Sequence, residues 1–163
     1  MGEPVRLLVV CLGNICRSPM AEGVLRARID ASPLKGRVLV DSAGTGDWHV
    51  GQPPDQRAID TAARHGVDIG GLRARQLRRA DAEAFDWLLC ADRENLADVL
   101  ARIPPASHPR ASLLLEWSGV GAGMDVPDPY YGELDGFEHS WRLVEAAAEG
   151  AVARLMSEWG GRA

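Results

Sequence analysis

Cysteine is scarce in this sequence, and no apolar run is long. Three cysteines occur among 163 residues, Cys11, Cys16 and Cys90, and an odd number without regular spacing argues against a disulfide framework. We therefore expect a reducing, cytoplasmic environment. The apolar run at 7–12 is too short to cross a membrane, and no other stretch is long enough either. These features predict a protein without a membrane partner.

Basic residues are not in excess either. The chain carries 18 Lys and Arg against 23 Asp and Glu, which gives a net charge of −5. Because general nucleic-acid binders usually present a basic face, we expect no nucleic-acid partner. Arginines cluster at 73–79, but Asp81 and Glu83 follow at once. We interpret this stretch as a solvated face, with attraction of acidic substrates as the alternative.

Strands and helices alternate along the chain. Apolar runs are typical of strands buried on both faces, and amphipathic stretches with Pro at the start or Gly at the end indicate helices. The length suits a single domain, which we place over residues 1–163. The predicted strands are 5–11, 37–42, 85–91 and 111–115, and the predicted helices are 19–29, 55–65, 93–102 and 137–159.

This alternation predicts an α/β fold with one parallel sheet, right-handed crossovers and helices on both faces. In such sheets ligands bind beyond the carboxyl ends of the strands. Cys11 is the last residue of the first predicted strand. It therefore lies at the edge where this fold class binds its ligand.

The segment after this strand combines features of an anion site. Five residues separate Cys11 from Arg17, enough for backbone N–H groups to surround one tetrahedral anion, and the next helix N-terminus adds positive potential. Gly13 would permit a left-handed turn or a close backbone approach. The segment therefore predicts a phosphate-binding loop. Its members are Cys11, Leu12, Gly13, Asn14, Ile15, Cys16, Arg17 and Ser18.

Three side chains of this 11–18 loop suit nucleophilic catalysis at phosphorus. The surroundings stabilise a thiolate at Cys11, and the thiolate is the form of cysteine that attacks. The planar guanidinium of Arg17 can bind two phosphate oxygens at once. Ser18 can donate a hydrogen bond to the sulfur as it leaves. The sequence predicts a cysteine-dependent phosphatase, with a merely structural cysteine at a strand end as the alternative.

With these motifs the chain resembles the low-molecular-weight protein tyrosine phosphatases over nearly its whole length. The resemblance implies a flavodoxin-like, four-stranded parallel sheet flanked by helices, and no metal or organic cofactor. It also implies hydrolysis of phosphotyrosine in proteins, and of small aryl phosphates, with release of inorganic phosphate. The matching segments besides the loop are 41–45 (Asp-Ser-Ala-Gly-Thr), 48–51 (Trp-His-Val-Gly), 73–76 (Arg-Ala-Arg-Gln), 128–132 (Asp-Pro-Tyr-Tyr-Gly), and Asp92 with Asn95.

The resemblance assigns the role of general acid and base to Asp128. A carboxyl group near the phosphate can protonate the departing oxygen and later accept a proton from water. Pro127 and Pro129 flank this residue and restrict its position. Asp92 is expected to support the loop or the rim of the pocket, and Ser42 to support the loop.

Aromatic side chains complete the predicted pocket. Flat rings give a substrate ring a surface on which to stack. Trp48, Tyr130 and Tyr131 match the pocket walls of the family, although an ordinary buried tryptophan is the alternative for Trp48. Leu12 and Ile15 would add an apolar floor.

The two remaining cysteines differ in expected role. The resemblance implies that Cys16 pairs with Cys11 and shields it from over-oxidation; a thiol without a role is the alternative. Cys90 lies within an apolar strand, and we interpret it as inert core.

Three other functions compete with a tyrosine phosphatase. Arsenate reduction uses a similar loop but needs a further pair of cysteines downstream, and here only Cys90 remains. Phosphoarginine phosphatases of this family prefer Thr where this chain has Ile15, so Ile15 favours phosphotyrosine. A non-catalytic phosphate-binding module would not need Cys11, Arg17 and Asp128 together.

Leu72 departs from the family pattern. Many bacterial relatives have His at this position, where it joins a buried network with the residues that correspond to Asn14, Ser18 and Ser42. Leucine cannot donate or accept a hydrogen bond, so we expect the network to lose a member unless His49, His65 or water substitutes. A less rigid loop and a less readily ionised Cys11 would follow; the alternative is that Leu72 merely packs against the sheet.

Overall fold

The computed structural model describes residues 2–130, 132 and 134–160. Within these residues, four strands alternate with six α-helices, and one 3₁₀ helix (Pro105–Arg110) precedes the last strand. The strands are β1 (Val5–Cys11), β2 (Val38–Gly44), β3 (Trp87–Cys90) and β4 (Ala111–Leu113). The helices are α1 (Arg17–Asp30), α2 (Gln56–Arg64), α3 (Asp81–Ala84), α4 (Arg93–Arg102), α5 (Leu114–Trp117) and α6 (Leu134–Gly160).

The strands form one parallel sheet in the order β2-β1-β3-β4. Val9 pairs with Ser42 on one side of β1, and Val10 pairs with Cys90 on the other. The order reverses direction between β1 and β3, which is the switch point where this type of sheet binds ligands. The predicted single domain with a four-stranded parallel sheet is confirmed.

Each face of the sheet is covered by its own apolar core. Side chains of β1 alternate between the faces, so Leu7, Val9 and Cys11 pack with residues of α1, α2, α5 and α6. Leu8 and Val10 pack on the opposite face with residues of α3 and α4. Burial on both faces explains the continuous apolar run of β1, and the predicted helices on both faces are confirmed.

Element boundaries differ from the sequence-based expectation at several ends. Helix α1 begins at Arg17 rather than at Pro19, because Pro19 fits within the first turn, where its missing N–H costs nothing. Strand β4 ends at Leu113, since the apolar residues after it form α5, and periodicity cannot separate a short apolar strand from a buried helical turn. Helix α3 and the 3₁₀ helix were not predicted.

The tryptophans outside the pocket region serve packing. Trp117 and Trp141 are buried, and Trp87 and Trp159 pack against the same core from partly buried positions. Within the described part of the chain, no helix combines the length and the apolarity needed to cross a membrane.

Candidate active site

The loop between β1 and α1 folds around the sulfur of Cys11. Cys11 is only 2% exposed, and its Sγ accepts a hydrogen bond from the backbone N–H of Asn14 at 3.3 Å. Ser18 Oγ lies 3.0 Å from the same sulfur. Helix α1 starts at Arg17, and its N-terminus adds positive potential near the sulfur of Cys11.

The left-handed residue of the loop is Asn14, with φ 57°, and not Gly13. Asparagine tolerates this conformation better than most residues. Gly13 instead provides a close approach, because an added Cβ would lie 3.0 Å from His49 Cδ2. Of the two roles expected for Gly13, the left-handed turn is wrong and the close approach is confirmed.

The side-chain amide of Asn14 holds the loop to its surroundings. Its Nδ2 donates to Ser18 Oγ at 2.7 Å and to Ser42 Oγ at 2.9 Å, and its Oδ1 accepts from the backbone N–H of Arg75 at 3.0 Å. Because Ser18 accepts from Asn14, its own hydroxyl hydrogen is available for the sulfur of Cys11. Every polar atom of the Asn14 amide therefore has a partner.

A buried carboxyl group, Glu22, ends this network. Ser42 Oγ donates to Glu22 Oε1 at 2.6 Å, and Glu22 is 2% exposed. Arg26 Nη2 lies 2.6 Å from its second oxygen. Burial raises the pKa of Glu22, while the Ser42 hydrogen bond and Arg26 offset part of this shift. Sequence reasoning missed Glu22, because a glutamate on an amphipathic helix is usually solvated.

The expectation that Leu72 leaves the network short of a member is wrong. Glu22 accepts the hydrogen bond of Ser42, so the network is complete without residue 72. Leu72 packs against the core, partly buried. Neither histidine substitutes: His49 bonds to Gln52, and His65 pairs with Glu138.

Arg17 is held by two hydrogen bonds and a further ion pair with two other segments. Its Nη1 donates to Asp92 Oδ2 at 2.6 Å and to the carbonyl of Val126 at 3.0 Å, and its Nη2 lies 3.5 Å from Asp128 Oδ2. Burial lowers the pKa of Arg17, but the charges of Cys11, Asp92 and Asp128 outweigh burial and raise it overall. Asp92 also caps α4 through the N–H of Asn95, which fixes the acceptor that orients the guanidinium.

A cavity of about 310 Å³ opens above this loop. Trp48 stands at its mouth, 67% exposed, so the alternative of an ordinary buried tryptophan is wrong.

Other residues around the cavity come from several segments. Asp128 Oδ1 accepts a hydrogen bond from the N–H of Tyr130 at 3.0 Å. His49, which sequence reasoning did not assign to the pocket, contributes its ring. Tyr131 lies outside the described residues. The lining consists of Cys11, Leu12, Gly13, Ile15, Cys16, Arg17, Trp48, His49, Asp128 and Tyr130.

The other two cysteines are buried thiols in different places. Burial raises the pKa of Cys16, and nearby Asp55 and Cys11 raise it further; Cys16 lines the same cavity as Cys11. Burial also raises the pKa of Cys90, which packs with Val10 in the core of the opposite face. The sheet therefore separates Cys90 from the pocket, in agreement with its interpretation as inert core.

The pocket thus brings together the thiol of Cys11, the thiol of Cys16, the buried guanidinium of Arg17 and the carboxyl group of Asp128. The sequence profile of the low molecular weight phosphotyrosine protein phosphatases matches residues 6–159. The chain belongs to this family.

Relatives of this phosphatase family match almost the whole chain. A low molecular weight protein-tyrosine-phosphatase of Streptomyces coelicolor is 41% identical over 97% of this chain and 98% of its own. The crystal structure of YfkJ from Bacillus subtilis superimposes with a TM-score of 0.89 at 35% identity, covering 96% of this chain and 98% of YfkJ. A protein tyrosine phosphatase structure from Entamoeba histolytica also gives 0.89, at 32% identity and 94% and 98% coverage.

The role of Glu22 as terminal acceptor can be tested by stability. Glu22→Ala leaves the buried hydroxyl of Ser42 without an acceptor, so we expect a loss of about 1–3 kcal/mol in the free energy of unfolding. Glu22→Gln retains an acceptor oxygen and should keep most of that stability. Urea denaturation of the two variants and the wild type measures both effects. Equal losses in the two variants would contradict the assignment.

The difference in the free energy of unfolding between the wild type and Glu22→Gln should also depend on pH. Because the pKa of Glu22 is raised in the folded state, its contribution to stability is present below the unfolded pKa of about 4.3 and is lost as pH rises through the folded pKa. The stability of the wild type relative to Glu22→Gln should therefore fall as pH increases through this range. A rise would contradict the inferred direction.

Proposed function

We propose that this chain hydrolyses phosphotyrosine in proteins through a phosphocysteine intermediate on Cys11. One observation carries the proposal: Cys11, Arg17 and Asp128 line a single cavity at the carboxyl end of β1. A nucleophile, an anion-binding group and a proton donor in one pocket are the parts that phosphoryl transfer needs. We assign these three roles in that order.

In the first step, the thiolate of Cys11 attacks phosphorus and forms an S–P bond. The P–O bond to the tyrosine oxygen breaks, and that oxygen takes the proton of the Asp128 carboxyl group. The guanidinium of Arg17 and the N–H groups of the 11–18 loop bind the other three phosphate oxygens. The fixed position of Arg17 on Asp92 and Val126 supports this role, because the guanidinium is oriented before the substrate arrives.

In the second step, a water molecule gives a proton to the Asp128 carboxylate. The oxygen of this water molecule attacks phosphorus. The S–P bond breaks, the thiolate of Cys11 leaves, and inorganic phosphate is released. The hydroxyl of Ser18, 3.0 Å from the sulfur, supports departure by donating a hydrogen bond to the returning thiolate. Asn14 keeps that hydroxyl in place, since it donates to the oxygen of Ser18.

The depth and lining of the pocket favour a phosphorylated aromatic side chain. The sulfur of Cys11 lies at the base, almost fully buried, so a phosphate on the short side chain of serine would stop above it. Ile15 supplies an apolar contact for a flat ring, and Trp48 and Tyr130 supply aromatic walls. We also assign Tyr131 to this wall, from the sequence resemblance alone.

The partners are phosphotyrosine-containing proteins; no nucleic acid, metal or organic cofactor takes part. We place the chain in the cytoplasm, where its three free thiols would stay reduced. Cys16 protects Cys11 by forming a reversible disulfide on oxidation, and its place in the lining of the same cavity supports this role.

The rival functions draw less support. Arsenate reduction would need a thiol relay, but Cys90 is buried in the core of the opposite face. A phosphoarginine phosphatase would need a polar group for the guanidinium where the pocket has Ile15. A purely binding module leaves the carboxyl group of Asp128 at the pocket rim unexplained.

A panel of phosphopeptides tests the substrate class. Wild type should release phosphate from phosphotyrosine peptides much faster than from phosphoserine or phosphoarginine peptides of matched sequence, because Cys11 is buried and Ile15, Trp48 and Tyr130 offer contacts to an aromatic ring. Ile15→Thr should shift the ratio toward phosphoarginine. Cys11→Ser is the control for contaminating phosphatases. A wild type that prefers phosphoarginine would contradict the substrate assignment.

The proton transfer assigned to Asp128 predicts a dependence on the leaving group. Asp128→Ala should lower kcat by about 10²–10⁴ on phenyl phosphate, because a poor leaving group needs the proton. The loss should shrink on aryl phosphates with acidic phenols, whose anions leave unaided. Steady-state kinetics over a series of substituted phenyl phosphates measures this trend. An equal loss across the series would show that Asp128 acts only on the shape of the loop.

A further inference from the structure

The side chain of Arg57 links two parts of the pocket that are far apart in sequence. It lies in the first turn of α2, two residues after the N-cap Asp55. Its Nε donates to Asp55 Oδ1 at 3.0 Å and its Nη2 to Asp55 Oδ2 at 2.9 Å. These hydrogen bonds lower the pKa of Asp55. The two side chains therefore form a bidentate ion pair, and the two parallel hydrogen bonds fix the orientation of the guanidinium.

On one side, this pair is attached to the phosphate-binding loop. The backbone N–H of Asp55 donates to the carbonyl of Ile15 at 2.8 Å. Asp55 Oδ1 also accepts from the backbone N–H of Arg57 at 2.9 Å, which caps α2. The position of Arg57 is therefore set relative to the 11–18 loop by local hydrogen bonds.

On the other side, Arg57 holds the segment that carries Asp128. Its Nη2 donates to the carbonyl of Tyr130 at 2.9 Å, and its Nη1 to the carbonyl of Gly132 at 3.2 Å. The N–H of Tyr130 in turn donates to Asp128 Oδ1. The guanidinium also lies 4.7 Å from the ring centre of Phe137, a fully buried side chain. Arg57 is thus two contacts away from the carboxyl group of Asp128.

The opposite end of this segment is anchored independently. Val126 receives a hydrogen bond from Arg17 and donates one to the carbonyl of Ala91. Ser140 donates to the carbonyl of Pro127 at 2.9 Å. Asp128 therefore lies between an anchor at 126–127 and the contacts of Arg57 at 130 and 132. The contacts of Arg57 at 130 and 132 are thus the second anchor of Asp128. Their loss would let the carboxyl group of Asp128 move while the 11–18 loop stays intact.

We propose that Arg57, fixed by Asp55, is a positioning residue that sets the carboxyl group of Asp128 at its distance from the phosphate-binding loop. This inference rests on the function proposed above, because the position of Asp128 matters only if Asp128 transfers a proton. Misplacement of a reacting group by about 1 Å can lower the rate by about 10²-fold. Arg57 therefore affects catalysis without touching the substrate.

The test compares Arg57→Ala with Arg64→Ala. Arg64 is a matched control, since it lies on the same helix and pairs with Glu138 of α6 at 2.8 Å but belongs to neither anchor of Asp128. Arg57→Ala should lower kcat about ten- to a hundredfold on phenyl phosphate and less on aryl phosphates with acidic phenols. Competitive inhibition by inorganic phosphate should be unchanged. Arg64→Ala should keep wild-type kinetics.

Arg57→Lys separates positioning from stability. Lysine keeps the charge but cannot reach Asp55 and both carbonyl groups with one ammonium. It should therefore show most of the loss in kcat, with a melting temperature near that of the wild type. Wild-type kinetics in Arg57→Lys would overturn the proposal, because the several N–H donors of the guanidinium would then be unnecessary.

A double-mutant cycle with Asp128→Ala decides between positioning and a general structural effect. If Arg57 acts through Asp128, adding Arg57→Ala to Asp128→Ala should lower kcat by less than about twofold. Two losses that multiply would overturn the inference about Arg57 and leave the proposed function standing. If Asp128→Ala alone keeps the wild-type kcat on phenyl phosphate, both the acid role of Asp128 and this inference are overturned.

Discussion

The hydrogen bonds of the Asn14 side chain hold the pocket in shape. One amide nitrogen bonds to Ser18 and Ser42, and the amide oxygen accepts from the backbone of Arg75. With a left-handed backbone at the same residue, these bonds turn the loop so that the N–H of Asn14 faces the sulfur of Cys11. A buried amide is costly unless all its atoms are paired. The buried Glu22 beyond Ser42 is part of that requirement.

The parallel sheet brings the remaining groups to this loop. Cys11 ends β1, and Asp92 follows the end of β3, so the two meet at the switch point of the sheet. Arg17, at the start of α1, reaches Asp92 directly. Asp128 comes from a long connection before α6 and is placed by contacts on both sides of it. The catalytic proposal therefore depends on three segments that the fold brings together from distant parts of the chain.

The sequence predicted those features that depend on residues close together in the chain. Strand β1 and helix α4 have the bounds expected from their apolar periodicity and caps, and the spacing of Cys11 and Arg17 sufficed to locate the pocket. The sequence did not reveal Glu22, whose burial results from packing across β2. The loss of a network member expected from Leu72 was wrong for a similar reason: Glu22, which accepts the hydrogen bond of Ser42, lies on α1, fifty residues away from Leu72 in sequence. Long-range contacts of this kind leave no signal in the spacing of a single sequence.

The identity of the covalent intermediate is the most direct test of nucleophilic catalysis by Cys11. The protein is mixed with an excess of aryl phosphate and quenched in acid during turnover, and its peptides are then examined by mass spectrometry. We expect phosphate on the sulfur of Cys11 in the wild type, and neither a phosphorylated peptide nor turnover in Cys11→Ser. Turnover by the wild type without phosphate on Cys11, or with phosphate on another residue such as Ser18, would contradict catalysis through a phosphocysteine on Cys11.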